Sequence, residues 1–126
     1  MLIRSQVDEL EKLIGQLESL HSELSALTKK SPNDAVNAFK LRFVNATLKG
    51  CNLLLGEKYK PFNEFEQLDS DNVPSNSDVT LIISQYLRAA EKFRSDNIYQ
   101  GDFGRWYYRT EKKEQVETAP PAKLKK

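Results

Sequence analysis

The chain has few of the residues that build most catalytic and metal sites. Histidine, cysteine and tryptophan each occur once in 126 residues, as His21, Cys51 and Trp106. A lone cysteine excludes an intramolecular disulfide and a cysteine-based zinc site, and it suits a reducing, cytoplasmic setting. His21 falls on the apolar stripe of a predicted helix, so no histidine is available to pair with a nucleophile. A metal site needs several convergent donors, and a single histidine does not provide them.

Long apolar runs and enzyme motifs are also missing. No run of about 18 apolar residues occurs, and the start "MLIRSQVDELEK" has no apolar h-region, so we expect neither a membrane span nor an export signal. There is no Walker lysine loop and no G-x-S-x-G elbow. The triplet Asp102-Phe103-Gly104 matches the magnesium-binding triplet of protein kinases by chance, since the other kinase motifs are absent. The sequence predicts a non-enzymatic protein with no metal, no cofactor and no evident small-molecule substrate.

The length fits one domain with one modest core, which buries roughly two-thirds of the chain's surface. We expect residues 1–112 to form this domain. Residues 113–126, "KEQVETAPPAKLKK", have no apolar periodicity and carry two prolines and alternating charge. They are predicted to be a disordered basic tail.

Three stretches have the period of amphipathic helices, near residues 3–29, 32–55 and 78–95. On the first, Leu10, Leu17 and Leu24 occupy the d positions of a heptad pattern, which is typical of parallel two-stranded coiled coils. Leu13, Leu20 and Leu27 widen this stripe to the face of a helix inside a bundle, so a helix packed within its own chain is favoured over a coiled coil with another chain. We therefore predict an all-α fold, an antiparallel three-helix bundle, with a four-helix bundle as the alternative.

The second helix has two apolar bands and is expected to begin after Ser31, its predicted N-cap, and to end at Gly56. A helix that is apolar on two sides predicts packing against both neighbours. Cys51 lies in one of these bands and is interpreted as a core residue. On the third helix, Ser77 is the predicted N-cap, and Glu91, Lys92 and Arg94 are expected to face away from the core.

The connection at residues 57–77 is long for a loop without structure. Aromatic or leucine residues recur in it at every third position: Tyr59, Phe62, Phe65 and Leu68. We expect these side chains to lie on the helices.

The stretch "YQGDFGRWYYR", residues 99–109, contains five of the twelve aromatic residues. One interpretation is that it folds back over the open side of the helices and completes the core, with glycines supplying the turn. The second is a protein-binding surface, because Trp, Tyr and Arg are enriched at interface hot spots. In the third, aromatic faces stack on bases and arginines hold phosphates of a single-stranded nucleic acid.

These patterns favour a non-enzymatic interaction protein, a homodimer or a small accessory or scaffold subunit of a larger assembly. The alternative is a nucleic-acid-binding accessory protein that uses the basic and aromatic cluster. The candidate partner-binding residues are Arg105, Trp106, Tyr107, Tyr108, Arg109 and Lys112, together with Leu10, Leu17 and Leu24 on the first helix.

Overall fold

The computed structural model describes residues 1–63, 68–69 and 71–122, and it is mostly helical. The elements are α1 (Arg4–Lys30), α2 (Ala38–Tyr59), α3 (Asn76–Ser95), β1 (Ile98–Gln100), β2 (Trp106–Tyr108) and β3 (Glu117–Thr118). The prediction of three main helices is confirmed.

The first helix, α1, lies antiparallel to the other two. Beside α2, Glu23 pairs with Lys40 near one end of the contact, and Gly50 approaches Leu13 near the other. Beside α3, the hydroxyl groups of Thr28 and Thr80 are 2.9 Å apart. The contact between α1 and α3 is the most extensive in the fold.

One continuous core joins the helices to the strands. Its buried residues come from all three helices, both ends of the hairpin and the segments that precede α1, α2, α3 and β3: Leu2, Val7, Leu10, Leu13, Leu17, Leu24, Val36, Leu41, Val44, Leu48, Cys51, Leu55, Leu68, Val79, Ile83, Tyr86, Ala90, Phe93, Ile98, Tyr108 and Val116. The placement of Cys51 in the core is as predicted.

The predicted start of the second helix is wrong. Ser31 is the C-cap of α1, and α2 begins seven residues later, at Ala38. The side chain of its N-cap, Asn37, accepts hydrogen bonds from the N–H groups of Phe39 and Lys40. The segment between them turns and then pairs with the residues before α3, since Ala35 forms an isolated β-bridge with Ser75 and the buried Val36 donates its N–H to the carbonyl of Pro74 at 2.9 Å. The hydrogen bond between Val36 and Pro74, which are distant in sequence, has here outweighed the favourable N-cap that Ser31 would provide.

The all-α prediction is wrong for the residues that follow α3. They form a small antiparallel sheet of order β1-β2-β3, with Ile98 opposite Tyr108 and Trp106 opposite Thr118. Ile98 and Tyr108, which stand opposite each other in β1 and β2, are both buried, so one side of the sheet packs on the core. Leu2 donates its N–H to the carbonyl of Arg109 at 3.0 Å, so the start of the chain is also tied to the sheet.

Part of the predicted disordered tail is ordered, since residues 117–118 form β3 and Val116 is buried. Arg94 on α3 holds this segment. Its guanidinium donates to the Thr118 hydroxyl at 2.9 Å and to the carbonyls of Ala119 and Pro120 at 2.8 and 2.9 Å. Arg94 is therefore buried, contrary to the prediction that it faces away from the core. Residues 123–126 of the predicted tail lie outside the described residues.

The connection before α3 packs on the helices, as its aromatic spacing predicted. The Tyr59 ring lies edge-on to Phe93 with centroids 5.1 Å apart, and Phe62 is 6.4 Å from Tyr86. Leu68 is buried, and its backbone is held by the Asn45 side chain. The N-cap of α3 is Ser75, not Ser77. Phe65 lies outside the described residues.

Candidate functional site

The aromatic stretch 99–109 forms a β-hairpin, and its residues alternate between two faces. Tyr108 is 1% exposed, and Trp106 packs against the core from the same side. Tyr107 lies on the opposite side, and the alternation places Arg105 and Arg109 there as well. The stretch therefore both completes the core and presents a surface, through alternate residues.

We call Tyr99, Arg105, Tyr107 and Arg109 the hairpin outer face. Tyr99 and Tyr107 stand opposite each other in the sheet, with ring centroids 5.9 Å apart. The Arg109 guanidinium lies 5.4 Å from the centre of the Tyr99 ring, within the range of a cation–π interaction. A Cβ on Gly101 would come within 3.0 Å of the Tyr107 ring, so this ring needs glycine beneath it.

Charge around the hairpin outer face is mixed. The Arg105 guanidinium lies 4.0 Å from the carboxylate of Glu117 on β3, and this carboxylate offsets its positive charge. Lys112, another predicted site residue, is exposed in the turn that follows, beside Glu111. A surface that binds a polyanion by charge has an excess of lysine and arginine, and this one has little excess.

The tip of the hairpin carries an almost fully exposed phenylalanine. Phe103 is 99% exposed and has a φ of 62°, and Gly104 beside it has a φ of 74°. A bulky residue in the left-handed region costs on the order of 1–3 kcal/mol. The kinase-like triplet 102–104 is thus a strained 3₁₀ turn.

The three leucines predicted to bind a partner on α1 are buried within the chain. Leu10, Leu17 and Leu24 are each 1% exposed or less. Of the two alternatives for this helix, the structure has the one packed within its own chain. These leucines offer no exposed surface to a second helix.

An exposed apolar face on α2 was not identified as a surface from the sequence. It consists of five residues at alternating steps of four and three, which we call the α2 apolar face: Phe39, Phe43, Ala46, Gly50 and Leu53. Its three large side chains are 62%, 51% and 79% exposed in chain order. These steps are typical of a helix that packs along another helix. The prediction that α2 packs against both neighbouring helices is confirmed, but only its band of Leu41, Val44, Leu48, Cys51 and Leu55 is buried.

The two phenylalanines of the α2 apolar face contact each other edge-to-face, with centroids 4.9 Å apart. The Arg42 guanidinium lies 5.7 Å from the Phe39 ring.

A groove of about 600 Å³ runs between α1 and α2 beside the α2 apolar face. Small residues from both helices line it: Gly15, Ser19, Ala46 and Gly50. A Cβ on Gly50 would come within 3.0 Å of the Leu13 side chain, so the two helices approach closely there. Gly15 has open space at its Cβ position. Larger side chains complete the lining: Glu9, Lys12, Leu13, Gln16, Leu20, Phe43 and Thr47.

The two helices that form the groove carry net charges of opposite sign, and the charged residues in its lining are Glu9 and Lys12, both on α1. Residues 38–55 of α2 contain Lys40, Arg42 and Lys49 and no acid, whereas residues 5–28 of α1 contain five acids and one base: Asp8, Glu9, Glu11, Lys12, Glu18 and Glu23. The hydrogen bond from Lys40 to Glu23, 2.6 Å long, lowers the pKa of that carboxyl. Within the described part of the chain, Arg42, Lys49 and Glu9 form no ion pair.

The structure gives no sign of a catalytic nucleophile at Cys51. Burial raises the pKa of this thiol to about 12, so it is not ionised at neutral pH. Among the residues described, no group of three or more histidine, cysteine, aspartate or glutamate side chains is placed to hold a metal ion.

No helix in the described ranges combines the length and the hydropathy needed to cross a membrane. No protein-family model, curated protein or solved structure matches this chain.

Proposed function

We propose that this protein is a non-enzymatic interaction protein, an accessory or scaffold subunit of the cytoplasm that binds other protein chains through the α2 apolar face. The observation that carries the proposal is the exposure of Phe39, Phe43 and Leu53 at the spacing of a helix-packing surface. Contiguous exposed apolar side chains on a folded domain mark interaction sites. Binding of a helix along a groove uses such a row of residues.

The energy available from this face is substantial but not sufficient alone. Fully burying a phenylalanine or leucine side chain stabilises by about 1.5–3 kcal/mol, so covering the exposed parts of these three contributes roughly 3–6 kcal/mol. Association costs about 4–15 kcal/mol in lost freedom. The partner must therefore also contact the groove and its charged walls.

Photo-cross-linking from the α2 apolar face tests this function. A benzophenone amino acid at position 43 of the full chain, activated in the cells that make the protein, will form a discrete cross-link to another polypeptide. Leu81 on α3, 58% exposed, is the matched control position and will give none. Adding Phe39→Glu to the first chain will abolish its cross-link. Equal labelling from both positions, or no product from position 43, contradicts the proposal.

The hairpin outer face supports a second candidate function, binding of single-stranded nucleic acid. Tyr99 and Tyr107 present rings on an open sheet face, with Arg105 and Arg109 beside them. Base stacking on such rings contributes about 1–3 kcal/mol per base.

We expect a fluorescent single-stranded RNA or DNA to bind weakly at 50 mM salt, more weakly as salt increases, and not at all to the Arg105→Ala/Arg109→Ala/Tyr99→Ala variant. Fluorescence anisotropy measures the affinity. The Arg88→Ala variant on α3 is the control. Absence of binding by the unmodified chain at 50 mM salt would eliminate this candidate.

A further inference from the structure

We infer that the partner of the α2 apolar face is a second copy of this chain, so that α2 of each copy lies in the groove between α1 and α2 of the other. The inference rests on the proposed function, because it needs the α2 apolar face to bind protein. It adds the identity of the partner and the arrangement of the helices.

A two-fold dimer requires one surface to be complementary to itself. The α2 apolar face and the groove beside it meet this requirement, because their side chains are complementary in size. The face presents large residues, Phe39, Phe43 and Leu53, and it borders a groove whose lining includes the small residues Gly15, Ser19 and Ala46. The large side chains of one copy fill the space that Gly15 leaves open in the other, and the reverse contact forms by symmetry.

The charges favour the same arrangement. When α2 of one copy lies in the groove of the other, its basic residues come close to the acidic helix α1 of that copy. Arg42 and Lys49 have no ion pair within the described part of their own chain, and neither has Glu9 on the groove wall. A second copy supplies opposite charges to all three residues, whereas a neutral or basic helix leaves them unpaired.

Sedimentation velocity of the full chain, from about 1 to 100 µM, tests the inference. We expect a reversible monomer–dimer equilibrium that weakens between 50 and 500 mM salt, because the charge pairs across the interface are screened. Phe43→Glu will raise the dimer Kd at least about 30-fold, the effect of a hot-spot residue. Leu81→Glu makes the same change at an exposed leucine outside the face and will leave the Kd within about 3-fold.

A charge exchange tests the arrangement of the two copies. Arg42→Glu with Lys49→Glu will raise the dimer Kd about 5-fold or more. The Kd of this variant will no longer increase with the salt concentration. Adding Glu9→Lys to that chain will restore part of the affinity, since opposite charges again face each other. Circular dichroism confirms that each variant folds.

The outcomes separate the inference from the proposed function. A chain that stays monomeric at 100 µM while position 43 cross-links to a different protein overturns the inference and leaves the proposed function standing. A dimer that Phe43→Glu does not weaken also overturns the inference. A monomer that also gives no cross-link from position 43 overturns both.

Discussion

Replacing Arg94 with methionine will lower the free energy of unfolding by about 3–5 kcal/mol, the usual cost of removing one member of a buried ion pair. Arg94 and Glu91 form a bidentate pair, with N–O distances of 2.6 and 3.0 Å. Their side chains are 8% and 17% exposed. Methionine leaves the Glu91 carboxylate buried without its cation, and it releases the backbone carbonyls after β3. Chemical denaturation measures the change.

The effect of this substitution will depend on pH. Burial alone would raise the pKa of Glu91, but hydrogen bonds from Arg94, Ala122 and Ser95 outweigh it and lower that pKa. A carboxyl group with a lowered folded pKa stabilises the fold above the unfolded-state pKa, about 4.3, and this stabilisation is lost as the pH falls through the folded value. The difference in stability between wild type and Arg94→Met will therefore narrow below about pH 4.

The double variant Arg94→Met/Glu91→Leu separates the charge from the packing. Apolar replacement of a whole buried pair is often neutral, so the double variant will recover most of the lost stability. The segment after β3 will nevertheless exchange its amide hydrogens faster, because no guanidinium holds it. A double variant as unstable as the single one would show that Glu91 is not the source of the cost.

Tyr108→Ala will lower the free energy of unfolding by about 3–5 kcal/mol, as observed for other large buried aromatics. The Tyr108 side chain is 1% exposed and packs between the sheet and the helices. Alanine at this position leaves a cavity between the sheet and the helices, and these elements cannot shift enough to fill it. Thermal or chemical denaturation measures the loss.

Tyr107→Ala is the matched control, one residue away on the other face of the same strand. It removes one cross-strand aromatic pair and is expected to cost about 1 kcal/mol or less. Similar losses for both tyrosines would contradict the division of the hairpin into a core face and an outer face.

The helices were predictable because their apolar periodicity extends over five or more turns. The stripe on α1 and the apolar face of α3 indicate which side of each helix is buried. The boundary near Ser31 was not predictable, since the carbonyl of Pro74 that holds Val36 lies far along the chain. The sheet was not predicted because its longest strands have three residues. An alternation of apolar and polar residues over three positions cannot be distinguished from the pattern of a turn.

The surfaces were harder to predict than the helices. Periodicity showed that α2 is apolar on two sides, but how many neighbours cover it depends on the positions of α1 and α3. The aromatic hairpin was recognised as either core or surface, and the alternation that makes it both needs the strand assignment. Arg94 lies among charged residues that are typical of an exposed helix face. Its burial depends on residues 118–120, which the sequence predicted to be disordered.

The extensive contact between the first and last helices has a consequence for synthesis on the ribosome. The apolar stripe of α1 emerges early, but α3, its main covering element, ends at Ser95, about 65 residues later. At 5–20 residues per second, the stripe stays uncovered for roughly 3–13 seconds. Transiently exposed apolar surface of this kind is prone to aggregation, and the hydrogen bond between Leu2 and Arg109 can form only after the hairpin has been synthesised.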